Sequence, residues 1–180
     1  MEETNAMPQK PSAGLSALVY GLLLSVVMIV AYLLLYLLDY NKSAVATIIP
    51  ILLLVAGVAL ASADYRNKKL GGFISYGKAV KIGFLTVLFA AFVIAVYTFV
   101  YHSAINPGEL NQLKKDSILA IYNMDLEPEK EAQAVQMQKY IFNPLTFSVI
   151  SIFSLAFFGI IIALITSIFI KRDQPAGYSI

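Results

Sequence analysis

Apolar residues in this chain are concentrated in four long runs that polar segments separate. No Asp, Glu, Lys or Arg occurs within four segments, residues 11–38, 43–63, 82–108 and 140–170. A hydrocarbon core about 30 Å thick requires about 20 predominantly apolar residues in a helix, and each run is long enough. The pattern therefore predicts four membrane-spanning helices, at about residues 13–38, 44–63, 79–102 and 144–170.

The connections between the runs indicate how the spans follow one another. Only the turn at residues 39–43 joins the first two spans, so they must run antiparallel side by side. Residues 64–81 form a basic connector in which Gly71 and Gly72 interrupt any helix. These features predict an all-α integral membrane four-helix bundle, with one four-span domain over residues 13–171.

The polar segment 103–143 carries its own helix-start signals. Pro107 and Pro128 follow Asn106 and Glu127, and proline is favoured in the first turn of a helix. Two short helices are predicted, at about residues 107–122 and 128–142. Asn143 is the expected N-cap of the fourth span, with Pro144 at its first helical position.

The distribution of Lys and Arg predicts the orientation. An even number of spans places the N-terminus, the basic connector and the C-terminus on one side, which then holds eight of the thirteen basic residues. The other side holds Lys42 and the four lysines of segment 103–143, which six acidic residues accompany. By the positive-inside rule both termini are predicted in the cytoplasm, as tails over residues 1–12 and 172–180, with segment 103–143 outside.

Overall composition narrows the function classes. The chain is 59% hydrophobic, whereas soluble domains are about 45–50% apolar. A net charge of +2, without a basic face, argues against a nucleic-acid partner. The absence of cysteine excludes disulfides, thiolate metal sites and cysteine nucleophiles.

Small residues recur at four-residue spacing in the first and fourth spans. In lipid, close helix packing depends on small residues that share one face. The spacing predicts packing within the bundle, and the alternative is a homo-oligomer contact. The residues concerned are Ala17, Gly21 and Ser25 in the first span and Gly159, Ala163 and Ser167 in the fourth.

Tyrosines and the only histidine cluster at the outer ends of spans one and three. The simplest interpretation is an aromatic belt at headgroup depth. The functional alternative is a polar outer vestibule formed by Tyr36, Asp39, Tyr101 and His102. A single histidine cannot form a metal site without carboxylate ligands, so no metal site is predicted.

Most catalytic and transport chemistry is missing from the spans. No ionisable Asp, Glu, Lys or Arg lies at mid-membrane depth, which argues against a pump or a proton-coupled carrier. The alternative is a channel lined by hydroxyl groups, for which the available residues are Thr86, Thr98, Ser148, Ser151 and Thr166. An outer-face enzyme would have to use His102, Asp39 and Glu109. No catalytic residue and no cofactor is predicted.

The basic connector favours contact with lipid headgroups. Its five basic residues fall within eighteen positions, and each basic side chain near an anionic bilayer contributes about 1 kcal/mol of attraction. The expected lipid contacts are Arg66, Lys68, Lys69, Lys78 and Lys81.

The stretch from Gly71 to Phe84, GGFISYGKAVKIGF, leads into the third span through glycines and aromatic residues. Together with the turn at Asn106 and Pro107, it resembles a bacterial four-span membrane family, domain-of-unknown-function family 4199. The resemblance extends over about residues 12–171. It implies the same architecture in a bacterial cytoplasmic membrane, and it transfers no activity or site.

The sequence thus predicts a non-enzymatic structural, scaffold or accessory subunit of the bacterial inner membrane. Its expected partners are the bilayer, including anionic lipids, and either a second copy or another membrane protein. A small-solute transporter or channel is the first alternative, and a membrane-embedded enzyme with an outer-face site is the second.

Overall fold

The computed structural model of the chain describes residues 12–40 and 43–174. The predictions for residues 1–11, for Lys42 and for the last six residues lie outside the described part. The described residues contain six α-helices and one short π-helical turn, and no strand occurs among them. In chain order they are α1 Ala13–Leu37, α2 Ala44–Lys69, α3 Tyr76–Val100, the π-helical turn Tyr101–Ile105, α4 Pro107–Tyr122, α5 Pro128–Ile141 and α6 Pro144–Ile170.

The predicted all-helical fold class is confirmed. Four of the helices are long and apolar enough to cross a membrane: α1, α2, α6 and α3 continued by the π-helical turn. Segment 103–143 contains the two short helices that the prolines predicted, and they begin at Pro107 and Pro128.

Three of the helices have a side-chain cap at their N-terminus. The first backbone N–H groups of a helix have no partner within it, and the capping side chain accepts one of them. Ser12 Oγ accepts from Leu15 N at 3.3 Å. Asn106 Oδ1 accepts from Glu109 N at 3.3 Å. Asn143 Oδ1 accepts from Leu145 N at 3.0 Å, as its predicted N-cap role requires.

Helix α2 continues six residues beyond the predicted end of span two at residue 63. Asp64 and Lys68, one turn apart, form an ion pair of 2.7 Å on this extension. The basic residues of its last turn also interact favourably with the negative end of the helix dipole. Gly71 and Gly72, with φ of 63° and 91°, then terminate the helix in a conformation that favours glycine.

The chain divides into two compact units, and each has its own packing. The first comprises α1, α2, α3 up to Ala90 and α6 from Leu155 onward. At one end of this unit, Ala61, Ile74, Ala79, Ile82 and Ile170 form a buried apolar cluster.

The second unit comprises residues Ala91–Ser154, which include the end of α3, the π-helical turn, α4, α5 and the first part of α6. Helix α4 packs against α5 and against the π-helical turn. Leu110 and Ile121 are the buried residues of α4.

Candidate functional site

The small residues singled out in the sequence are buried in the first unit. A Cβ added at Gly21 would lie 2.7 Å from both Phe89 Cβ and Thr86 O. A Cβ at Gly159 would lie 2.4 Å from Val87 Cγ1. The structure also buries Ala17, Ser25, Ala163 and Ser167. These two sets of small residues therefore pack against helices of the same unit, where the absence of larger side chains permits close approach.

Two further glycines make contacts of the same kind. A Cβ at Gly57 would meet Leu24 Cδ1 at 2.7 Å. A Cβ at Gly83 would meet Val58 Cγ1 at 2.7 Å and the Cβ of Ala163 at 3.2 Å. Sequence analysis did not single out Gly83 as a packing residue, although it follows Ala79 at the same four-residue spacing.

Most of the hydroxyl groups considered as channel lining donate to their own helices. Thr86 Oγ1 donates to Ile82 O at 2.9 Å, and Thr166 Oγ1 donates to Ile162 O at 2.7 Å. Ser148 and Ser151 bond backbone oxygens of α6 in the same way, at 2.6 Å and 2.7 Å. A hydroxyl has only one proton to donate, so these groups are not free donors for a passing solute.

The five basic residues of the connector have different surroundings. Arg66 Nη1 donates to Ile170 O, the last residue of α6, at 2.9 Å. Lys68 pairs with Asp64. Within residues 12–40 and 43–174, the side chains of Lys69, Lys78 and Lys81 form no ion pair or hydrogen bond, and the last two are exposed.

A groove lies where the connector meets the end of α6. Ile74 and Arg172 exchange two backbone hydrogen bonds, with N–O distances of 2.9 Å and 3.0 Å, and so form an isolated antiparallel bridge. Beside it the groove encloses about 230 Å³. Its lining includes Leu70, Phe73, Ser75, Lys78, Arg172 and Asp173, which combine an apolar wall with two cationic side chains and one carboxylate.

Aromatic rings form a continuous stack in the second unit. The rings of Tyr97 and Tyr101 are stacked at 5.6 Å, and Tyr101 meets His102 edge-on at 5.1 Å. His102 in turn meets Phe147 at 5.5 Å, and Phe147 stacks on Phe142 at 5.9 Å. The stack buries Tyr101 and His102, so both side chains contribute to packing.

Asn106 links the π-helical turn to α4. Its backbone N–H donates to Tyr101 O at 2.7 Å, which closes the wide turn. Its side-chain Nδ2 donates to Tyr101 Oη at 3.2 Å and approaches Glu109 Oε2 at 3.4 Å. Sequence analysis identified Asn106 only as a turn residue, because a π-helical turn has no local sequence signature of its own.

The residues of the two outer-face hypotheses fall in different units. Tyr101, His102 and Glu109 belong to the second unit, and His102 contacts Tyr101 directly. Tyr36 and Asp39 belong to the first. Among residues 12–40 and 43–174, no group of three or more His, Cys, Asp or Glu side chains could hold a metal ion.

A second cavity lies entirely within the second unit. It encloses about 160 Å³, and His102, Lys114 and Lys139 are among its lining residues. Sequence analysis missed it, because its residues come from three separate stretches of the chain.

Comparison with known proteins gives one match. A family described as "Protein of unknown function (DUF4199)" matches residues 18–172. No curated protein and no solved structure matches the chain significantly. The match extends across all four apolar helices and the segments between them. The chain therefore belongs to the DUF4199 family, as its connector and four-span pattern suggested.

Proposed function

We propose that this protein is a non-enzymatic scaffold or accessory subunit of the bacterial cytoplasmic membrane. The observation that carries the proposal is the close packing around Gly21, Gly57, Gly83 and Gly159, where an added Cβ would be at most 2.7 Å from a neighbouring atom. Transport requires a polar or ionisable path, and this unit instead brings its helices together through small residues.

The hydroxyl groups support the same proposal against a small-solute channel. Thr86 and Thr166 are buried, and their protons are engaged with backbone oxygens of their own helices. Ser62 Oγ donates from α2 to Ala79 O on α3 at 3.2 Å, which holds two helices together. Hydroxyl groups engaged in this way stabilise the fold and do not select a solute.

The proposed orientation places both termini and the basic connector in the cytoplasm. Lys78 and Lys81 support it, because neither forms an ion pair with a described residue. Uncompensated lysines at a span end are attracted to the anionic lipids of the cytoplasmic leaflet. We include an anionic bilayer surface among the partners for that reason.

The proposed protein partner binds segment 103–143, which is called the outer segment because the proposed orientation places it outside. Helices α4 and α5 present large exposed apolar side chains, including Leu113, Leu119 and Met137. These helices are too polar overall to lie inside a bilayer, so their apolar side chains are available to a protein surface. The exposed phenylalanines of α6, Phe153 and Phe157, are assigned to lipid.

Photo-cross-linking in living cells tests the proposal. A benzophenone amino acid is introduced separately at Leu119, at Met137 and, as the control facing lipid, at Phe153. A scaffold gives a discrete protein adduct of one mass at Leu119 or Met137 and none at Phe153. Complete absence of protein adducts at both outer positions, in cells that express the protein at its natural level, contradicts the proposal.

A further inference from the structure

The cavity in the second unit, here called the outer cavity, has the composition of an anion site. Its lining includes His102, Leu110, Asn111, Lys114, Lys139 and Phe142. Lys114 comes from α4 and Lys139 from α5, so two helices each contribute one lysine to the lining. Its volume of about 160 Å³ is enough for a small polar group.

The charge of the cavity differs from that of the segment around it. Segment 103–143 has six acidic residues and four lysines, yet none of the described lining residues is Asp or Glu. Within residues 12–40 and 43–174, Lys114 and Lys139 form no ion pair, whereas Lys130 pairs with Glu127 at 2.9 Å. Two lysines on the lining of one cavity, without an acidic lining residue, favour an anion as the occupant.

His102 provides the second, independent observation. Only 7% of this residue is exposed, and its buried Nδ1 has no hydrogen-bond partner among the described residues. The residue belongs to the π-helical turn, a distortion that occurs frequently at functional sites. A buried polar atom without a partner is costly unless an additional group satisfies it.

The remaining lining residues define the class of ligand. Asn111 and Asn143 also line the cavity, and Asn143 uses its Oδ1 to cap α6, which leaves its amide N–H groups as donors. Leu110 and Phe142 provide an apolar wall. Several donors from different directions fit the oxygens of a phosphate group, for which lysine acts as a point charge.

We propose that the outer cavity binds the phosphate group of a small phosphate ester or of a phospholipid headgroup. Lys114 and Lys139 supply the charge, the asparagine amides supply further donors, and Leu110 and Phe142 contact the organic part. The site is separate from the proposed scaffold role, and the photo-cross-linking result has no bearing on it.

Direct binding to the full-length protein in neutral detergent tests this site. The probes are glycerol 3-phosphate, short-chain phosphatidylglycerol and short-chain phosphatidylcholine, which has no net charge. The variant Lys114→Gln/Lys139→Gln removes both cavity charges. Lys115→Gln/Lys130→Gln is the matched control, because it removes two charges of the same outer segment that do not line the cavity.

A phosphate site predicts that an anionic probe binds and that the cavity variant weakens it by about tenfold or more, while the control stays within about twofold. Tighter binding of glycerol 3-phosphate identifies a soluble ester as the ligand, and tighter binding of phosphatidylglycerol identifies a lipid. Circular dichroism verifies that both variants keep their helix content. The proposal is overturned if neither anionic probe binds, or if the cavity variant and the control lose the same affinity.

Discussion

Gly159 of α6 lies against Val87 of α3 so closely that a Cβ at Gly159 would be 2.4 Å from Val87 Cγ1 and 2.8 Å from Val87 Cβ. Real Cβ atoms do not approach other carbons to such distances, so one of the two helices would have to shift. Valine is branched at Cβ and has little rotamer freedom in a helix, so its side chain cannot move aside.

Replacing Gly159 by Ala is therefore expected to destabilise the protein. Overpacking costs about 1–3 kcal/mol, which exceeds the gain of up to about 1 kcal/mol that alanine brings to a helix. Thermal unfolding in detergent micelles, followed by circular dichroism, measures the change. Gly77→Ala is the matched control, because Gly77 also lies in a helix but has no atom within 4 Å of an added Cβ.

A second substitution distinguishes this contact from a general effect of alanine. Val87→Ala removes the two methyl groups that Gly159→Ala would meet, so the double variant should recover part of the lost stability. If Gly159→Ala is as stable as the wild type, the close contact does not exist in the membrane protein.

Arg66 joins the end of α2 to the end of α6 through its 2.9 Å bond to Ile170 O. Arg66→Gln should lower the free energy of unfolding by about 1–2 kcal/mol, because a charge-assisted bond to an otherwise free carbonyl is lost. Lys69→Gln is the control, because it removes one positive charge from the same helix but no hydrogen bond. Equal stability of the two variants would show that only charge matters at this position.

Asn106 is expected to stabilise the start of α4 and the π-helical turn together. Asn106→Ala loses the cap on Glu109 N and the bond to Tyr101 Oη, and should cost about 1–2 kcal/mol. Asn106→Asp keeps the capping acceptor but loses the donor, so an intermediate stability is expected. Chemical denaturation in detergent compares the three proteins, and an alanine variant as stable as the aspartate variant would contradict the capping role.

Orientation should depend on the basic connector. Replacing Arg66, Lys68, Lys69, Lys78 and Lys81 with Gln should weaken or invert the orientation, because these residues supply most of the positive charge near the span ends on one side. The chain has no cysteine, so single cysteines at Asn67 and Met124 report each side cleanly. Labelling by a membrane-impermeant maleimide in intact cells measures their exposure.

A second variant tests whether any loss of positive charge, and not only loss from the connector, changes the orientation. Replacing Lys114, Lys115, Lys130 and Lys139 with Gln removes four charges from the outer segment, where six acids accompany them. The orientation should not change, because long polar loops contribute little to topology. An unchanged labelling pattern in the connector variant would show that the positive-inside argument is wrong for this chain.

Local signals in the sequence predicted much of the fold. Pro107 and Pro128 fixed the starts of α4 and α5, since proline is suited to the first turn of a helix and disrupts its interior. The extension of α2 to Lys69 was not predicted, because the first charged residue was taken as the end of the span. Charged side chains end an apolar run, but the ion pair of Asp64 with Lys68 lets the helix continue.

The candidate sites could be predicted only in part. The charge of the connector predicted Lys78 as a contact for lipid headgroups. Arg172 lines the same groove only because it forms a backbone bridge with Ile74, which is far from it in sequence. Lys114, Lys139 and His102 line one cavity, and this arrangement likewise depends on how α4 and α5 pack. Contacts of this kind follow from tertiary structure, and no spacing along a single chain reveals them.

Solute flux into proteoliposomes tests the central proposal most directly. The purified protein is reconstituted and compared with protein-free vesicles, using inorganic ions, amino acids and sugars as solutes. A scaffold in which the Thr86 and Ser151 hydroxyl groups donate to their own helices predicts flux no greater than that of empty vesicles. A saturable flux of one solute, abolished by Thr86→Val or Ser151→Ala in protein that remains folded, would contradict it.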